Sequence, residues 1–206
     1  MKIKNLCTKL FSITSVLAIA TLTQVGAVSL ADIQDNPARF GNSSSTPAYA
    51  YYVDLPASRA IMQNDPYFAV DGQLIYVNYN TKNIKETYAT MYYDRSETMD
   101  EIQNKVLDDI KTNYTKQQLI DMGKEGFTKL FAEKLQTYLY DHPQISLRIN
   151  GTHTYSFDGQ LKDDEDSANQ NFETLRHPNP VPFGGDSYIL ALMMYEEVFK
   201  TPFLAN

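Results

Sequence analysis

Ser187 is the one hydroxyl whose surroundings suggest a nucleophile. It follows Gly185 and Asp186 and stands where a turn gives way to an apolar run, and the chain offers three histidines, His142, His153 and His177, as bases. A serine activated by an imidazole that a carboxylate orients performs acyl transfer. All three histidines precede Ser187, so such a set would have to assemble through long-range folding. Asp186 also has a purely structural use, because a carboxylate at a helix start accepts backbone N–H groups and suits the helix dipole. Capping takes precedence, and the sequence assigns no catalytic residue. The histidines show neither a His-Glu-x-x-His run nor an i, i+4 pair, so no metal-ligating or cofactor-binding residue is assigned, and no cofactor is expected.

Two other clusters bear on chemistry. Asp163-Asp164-Glu165-Asp166, with Asp158-Gly159 upstream, gathers oxygens that suit a hard cation. The alternating acids, central Gly and distant Glu of a calcium loop are absent, so 158–166 reads as a solvated acidic loop. Tyrosine is the compositional outlier: there are 15, with no Trp. Tyr49, Tyr51, Tyr52, Tyr67, Tyr76, Tyr79, Tyr88, Tyr92 and Tyr93 crowd one stretch. Tyr fits a half-buried strand surface, and an exposed face of such rings can recognise a glycan or a partner protein. Strand alternation places Tyr76 with Asn78 on one face and Ile75, Val77 and Tyr79 on the other, expected to be the core face.

The Gly185-Asp186-Ser187 block resembles the nucleophile block of GDSL-type hydrolases. The resemblance implies a catalytic serine at a strand-to-helix junction, with an Asp and a His well after it. Here the chain ends 19 residues after Ser187 and offers no later His. A serine hydrolase using Ser187 and a distant His is therefore the alternative reading.

The first 31 residues read as an export signal. Lys2, Lys4 and Lys9 precede an apolar run from Leu10 to Ala20, and Ser29-Leu30-Ala31 offers small residues for a cut before Asp32. The apolar stretch is shorter than the roughly 20 residues of a spanning helix, and Cys7 lies before the run, which excludes lipidation there. No transmembrane anchor is expected after cleavage. The cut removes the sole Cys and three basic residues but no acid, leaving 15 Lys plus Arg against 25 Asp plus Glu, a formal charge of −10. A cysteine-free chain excludes disulfide, thiolate and iron–sulfur chemistry. Its acidity disfavours nucleic acid and anionic lipid as partners. A periplasmic or extracellular location is expected.

These residues need elements to hold them. Residues 32–48, rich in Ser, Pro and Gly, read as a flexible leader, and 49–206 as one domain. A strand is predicted over Tyr49–Leu55, ending at Pro56. Strands Pro66–Val70 and Gln73–Tyr79 would meet across an Asp71-Gly72 hairpin turn, and Thr87–Tyr93 would complete a meander. Thr98 with Glu101, and Thr115 with Gln118, have capping-box spacing and open two amphipathic helices, the second running to about Asp141. Asn150-Gly151 predicts a second hairpin of Ile145–Ile149 and Thr152–Phe157. Residues 159–176 read as a loop, and Asp186 as the N-cap of a buried helix Ser187–Lys200.

The segments Tyr51–Ser58, Asn64–Phe68 and Met91–Asp94 resemble a pattern in small exported bacterial proteins that is loosely surface-adhesin-E-like. The resemblance covers residues 49–94, implies an envelope or extracellular protein, and brings no functional residue. The expected fold is α+β: an antiparallel sheet packed against two central helices and a buried C-terminal helix. The expected function is a non-enzymatic binding module for a protein or glycan of the envelope, with tyrosines of the Gln73–Tyr79 and Thr87–Tyr93 strands as its surface.

Overall fold

In a computed structural model that describes residues 27–166 and 178–203, the chain is an α+β protein built on one antiparallel sheet. The elements run α1 (Leu30–Asp35), β1 (Phe40–Ser45), β2 (Tyr49–Asn64), β3 (Tyr67–Asn78), β4 (Asn83–Asp94), α2 (Met99–Asn113), α3 (Lys116–Asp141), β5 (Ile145–Ser156), β6 (Leu161–Asp166), β7 (Asn179–Pro180) and α4 (Asp186–Phe199). The strands lie side by side in chain order from β1 to β6, and β7 also pairs with β5.

The sheet has two differently covered faces. On one, α4 packs over Val53, Phe68, Val70, Met91 and Tyr93 through Leu190, Ala191, Met194 and Tyr195. Each Val, Leu, Phe or Met side chain among them, fully buried, contributes roughly 1.5 to 3 kcal/mol through apolar area removed from water. On the other face the N-terminal segment covers Ala50, Ile75, Val77 and Ile84 with Val28, Ile33 and Phe40. Ile75 and Val77 thus occupy the core face as alternation requires.

Several expectations from sequence are corrected. Residues 32–48 are no loose leader: Ser29 caps α1 through a reciprocal box with Asp32, and β1 pairs with β2, burying Phe40. A stretch with three consecutive serines and little apolar patterning becomes ordered because an edge strand takes its stability from its neighbour. The Asp71-Gly72 hairpin is absent. β2 and β3 are each continuous and meet through the cis Asp65-Pro66 pair, while Asp71 and Gly72 lie inside β3 opposite Thr90 and Ala89. Gly72 is there for close approach, since a Cβ would lie 2.5 Å from Met194 Cε. Pro56 does not end β2 but sits in the irregular stretch between Asp54 and Arg59, where the ladder is interrupted.

The Asn150-Gly151 hairpin is also absent. β5 is continuous, and Asn150 is the extra residue of a bulge where β4 moves from Tyr88 to Ala89. The hairpin that does form joins β5 to β6 beyond Asp158, with Gly159 at φ 84°. Part of the expected loop 159–176 is therefore strand β6, whereas 167–177 lie outside the described residues.

Both capping boxes form as the spacing predicts, Thr98 with Glu101 and Thr115 with Gln118. α2 and α3 pack on one another, but α3 is interrupted at Gly123, whose φ of 68° and ψ of 179° are non-helical. In α4 the N-cap is Gly185, without a side-chain cap; Asp186 is the first helical residue and accepts the Ser43 hydroxyl at 3.0 Å. The expected capping role of Asp186 becomes a tie between α4 and β1.

Candidate functional site

Ser187, half-buried, opens α4 on one side of the sheet. His153 pairs in register with Glu86, on the face opposite α4, and its Nδ1 lies 3.0 Å from the Tyr155 hydroxyl. His142 ends α3, stacked on Tyr138 with ring centroids 4.3 Å apart and Nδ1 3.1 Å from the Tyr138 carbonyl. It lines a cleft of about 230 Å³ with Asp94, Ser96, Glu97, Pro143 and Gln144. His177 lies outside the described residues. The sheet thus separates Ser187 from His153, and Ser187 is not among the residues of the cleft that His142 lines.

Among the described residues no cluster of three or more His, Cys, Asp or Glu could hold a metal ion. Only the backbone of 163–166 is described, as part of β6. Among the described residues no helix is long and apolar enough to cross a membrane.

What the structure does assemble is a tyrosine patch. Tyr51 of β2 pairs in register with Tyr76 of β3, and their ring centroids lie 4.9 Å apart. Tyr49 approaches both, at 5.6 Å from Tyr51 and 6.4 Å from Tyr76. Aromatic pairs in this range are favourable beyond their buried area. Tyr49 is 38 % exposed. Asn78 donates to the Tyr76 hydroxyl at 3.3 Å. Partial burial pushes the Tyr51 phenol up, helped by the neighbouring Tyr76 and Asp186, so Tyr51 keeps its proton at neutral pH. It lies on the α4 side of the sheet, at the end where the Ser43–Asp186 bond anchors that helix.

The sequence expectation placed Tyr76 and Tyr92 on one surface, and the structure separates them. Tyr76 faces the α4 side, whereas Tyr92 alternates with the buried Tyr93 and Met91 and points to the opposite side. Two neighbouring strands rich in tyrosine are not a single aromatic face unless register aligns the rings. Tyr49 joins the patch because β2 extends Tyr51 by one same-face position, a consequence of alternation that was visible in the sequence.

The opposite face carries a group that sequence reasoning missed. Register aligns Tyr52, Ile75, Glu86 and His153 in one row, and Asp54, Gln73 and Tyr88 in the next. Asp54, 2 % exposed, receives a two-pronged hydrogen bond from Arg39, at 3.0 Å from Nε and 2.5 Å from Nη2. Glu86 is fully buried, at 0 % exposure. Its Oε1 accepts the Val28 backbone N–H at 3.0 Å, and its Oε2 accepts the Tyr88 hydroxyl at 3.3 Å. Burial drives its carboxyl up, opposed by those two hydrogen bonds and by His153 and reinforced by Asp54.

Comparison with protein-family models, with curated proteins and with solved structures returns no match.

Proposed function

We propose that this chain is a non-enzymatic, exported module that binds a glycan or protein of the cell envelope or its surroundings through Tyr49, Tyr51 and Tyr76. The observation that carries this reading is the clustering of three tyrosine rings beside the polar side chains of Asn78, Ser43 and Asp186. Rings supply apolar contact at low entropic cost, and their hydroxyls and neighbours orient the partner's polar groups. The separation of Ser187 from His142 and His153 favours this reading over a serine hydrolase. The periplasmic or extracellular location comes from the cationic and apolar start of the sequence.

Co-sedimentation of the exported protein with isolated envelope material tests the proposal. The wild type and Tyr92→Ala should sediment alike, whereas Tyr49→Ala/Tyr76→Ala should remain in the supernatant. Equal sedimentation of all three would remove the patch from consideration, and ester hydrolysis that disappears in Ser187→Ala would restore the enzyme.

A further inference from the structure

Among the described residues, the segment that covers the second face includes the buried Val28, 3 % exposed. Val28 contributes its isopropyl group to the core with Ile33 and Phe40, and its backbone nitrogen to Glu86. The next residues are equally committed: Ser29 caps α1, and the Leu30 N–H donates to the Phe157 carbonyl at 3.1 Å. A cut after Ala31 would delete all of these contacts. Four residues earlier stands Val25-Gly26-Ala27, which also offers short, uncharged residues at the −3 and −1 positions of a cleavage site after the apolar run.

Glu86 is the second observation. Among the described residues no ion pair includes this fully buried carboxylate. Arg39, which belongs to this group of side chains, is engaged by Asp54. The other titratable groups around Glu86 are Tyr88 on its own strand, His153 and Tyr155 on β5 and Asp54 on β2. A buried carboxylate outside any ion pair is costly, and besides the His153 imidazole across the ladder one backbone nitrogen already lies at hydrogen-bond distance from it.

From this geometry we infer that the chain is cut between Ala27 and Val28 during export, and that the new α-ammonium of Val28 becomes the buried counter-ion of Glu86. The inference rests on the export reading above and moves the boundary of the signal from Ala31 to Ala27. A signal-type endopeptidase adds one water across the Ala27–Val28 peptide bond. The C–N bond breaks, Ala27 leaves as a carboxylate, and Val28 keeps the nitrogen as an ammonium. The amide N–H···Oε1 bond at 3.0 Å is replaced by a charge-assisted one on the same atoms. Processing and folding are thereby coupled: the exported form gains an ion pair that the precursor cannot make.

The test expresses the full chain in an exporting bacterial host and determines the N-terminus of the released protein by sequencing and intact mass. Val28 is the expected first residue. Release with Asp32 or any other start overturns the cleavage site, and retention of the intact precursor inside the cell overturns the export reading together with it. The released protein and its Glu86→Gln variant are then unfolded thermally from pH 6 to 10. A paired α-amine has a folded pKa raised above its unfolded value of about 8, so its stabilisation is complete below pH 8 and is lost as pH rises through the folded value. The wild type should lose about tenfold in its folding equilibrium constant, relative to Glu86→Gln, across that window. Parallel curves with Val28 as the start would overturn the ion pair while leaving cleavage in place.

Discussion

At the residue scale, two buried polar side chains, Asp54 and Tyr188, stand in opposite states of satisfaction. The Asp54 carboxylate is saturated by Arg39, whose side chain is 46 % exposed. Arg39→Met leaves that carboxylate buried and unpaired, and should destabilise the protein by about 2 kcal/mol, a discount on the roughly 3 to 5 kcal/mol of a fully buried pair. A shift in the urea midpoint at unchanged m-value checks this. Tyr188 is the converse. Its hydroxyl is buried without a hydrogen-bond partner among the described residues, and burial pushes its phenol up to about 12. Tyr188→Phe should therefore be neutral or raise Tm, since it removes a desolvated polar group. Because the folded pKa is raised, ionisation of this tyrosine takes nothing from the fold below pH 10 and increasingly opposes it as pH climbs from 10 through about 12. The variant should flatten the alkaline limb of the stability curve, and an unchanged limb would show that Tyr188 does not titrate with unfolding.

At the element scale, local signals succeeded where the chemistry is local. The two capping boxes are closed by residues three apart, so Thr98 with Glu101 and Thr115 with Gln118 were legible without tertiary context. The Gly-containing pairs misled for the opposite reason. Gly72 is explained by Met194, more than a hundred residues away, and Asn150 by a bulge against β4. Only Asp158-Gly159 stands at a hairpin turn. The capping box of α1, Ser29 with Asp32, has the same local spacing but straddles the point at which the sequence predicts a cut.

Two glycines then separate two mechanisms. Gly72→Val forces branched methyls into the space of Met194 and should cost about 1 to 3 kcal/mol by overpacking. Gly123→Ala meets nothing within 4 Å, but its φ of 68° penalises any side chain. It should cost about 1 to 3 kcal/mol through backbone strain alone. Circular dichroism melts of both variants check this. If Gly123→Ala were as stable as the wild type, the break in α3 would be dispensable.

At the scale of the whole molecule, the α+β class, the sheet and the α4 cover were readable from periodicity, because a strand or helix announces its buried face in sequence. Which tyrosines share a surface was not, because the answer depends on register between strands. Tyr76 and Tyr92 stand on adjacent strands yet face apart, while Tyr49 and Tyr51, from β2, complete the patch. The covering of the second face was hidden for another reason: Val28 and Ile33 were read as flanks of a signal and a leader, and the demand that Ile75, Val77 and Ile84 be covered arises only once the sheet is formed.

The protein has 15 tyrosines and no Trp, so its intrinsic emission reports the tyrosines directly. Titrating the purified protein with solubilised envelope fractions, while following that emission corrected for the fraction's own, measures the proposed contact. The account expects a saturable change for the wild type and for Tyr92→Ala, and an affinity at least about tenfold weaker for Tyr49→Ala/Tyr76→Ala, the loss of roughly one well-buried tyrosine contact. Superimposable titrations of wild type and double variant, with both proteins folded, would contradict it.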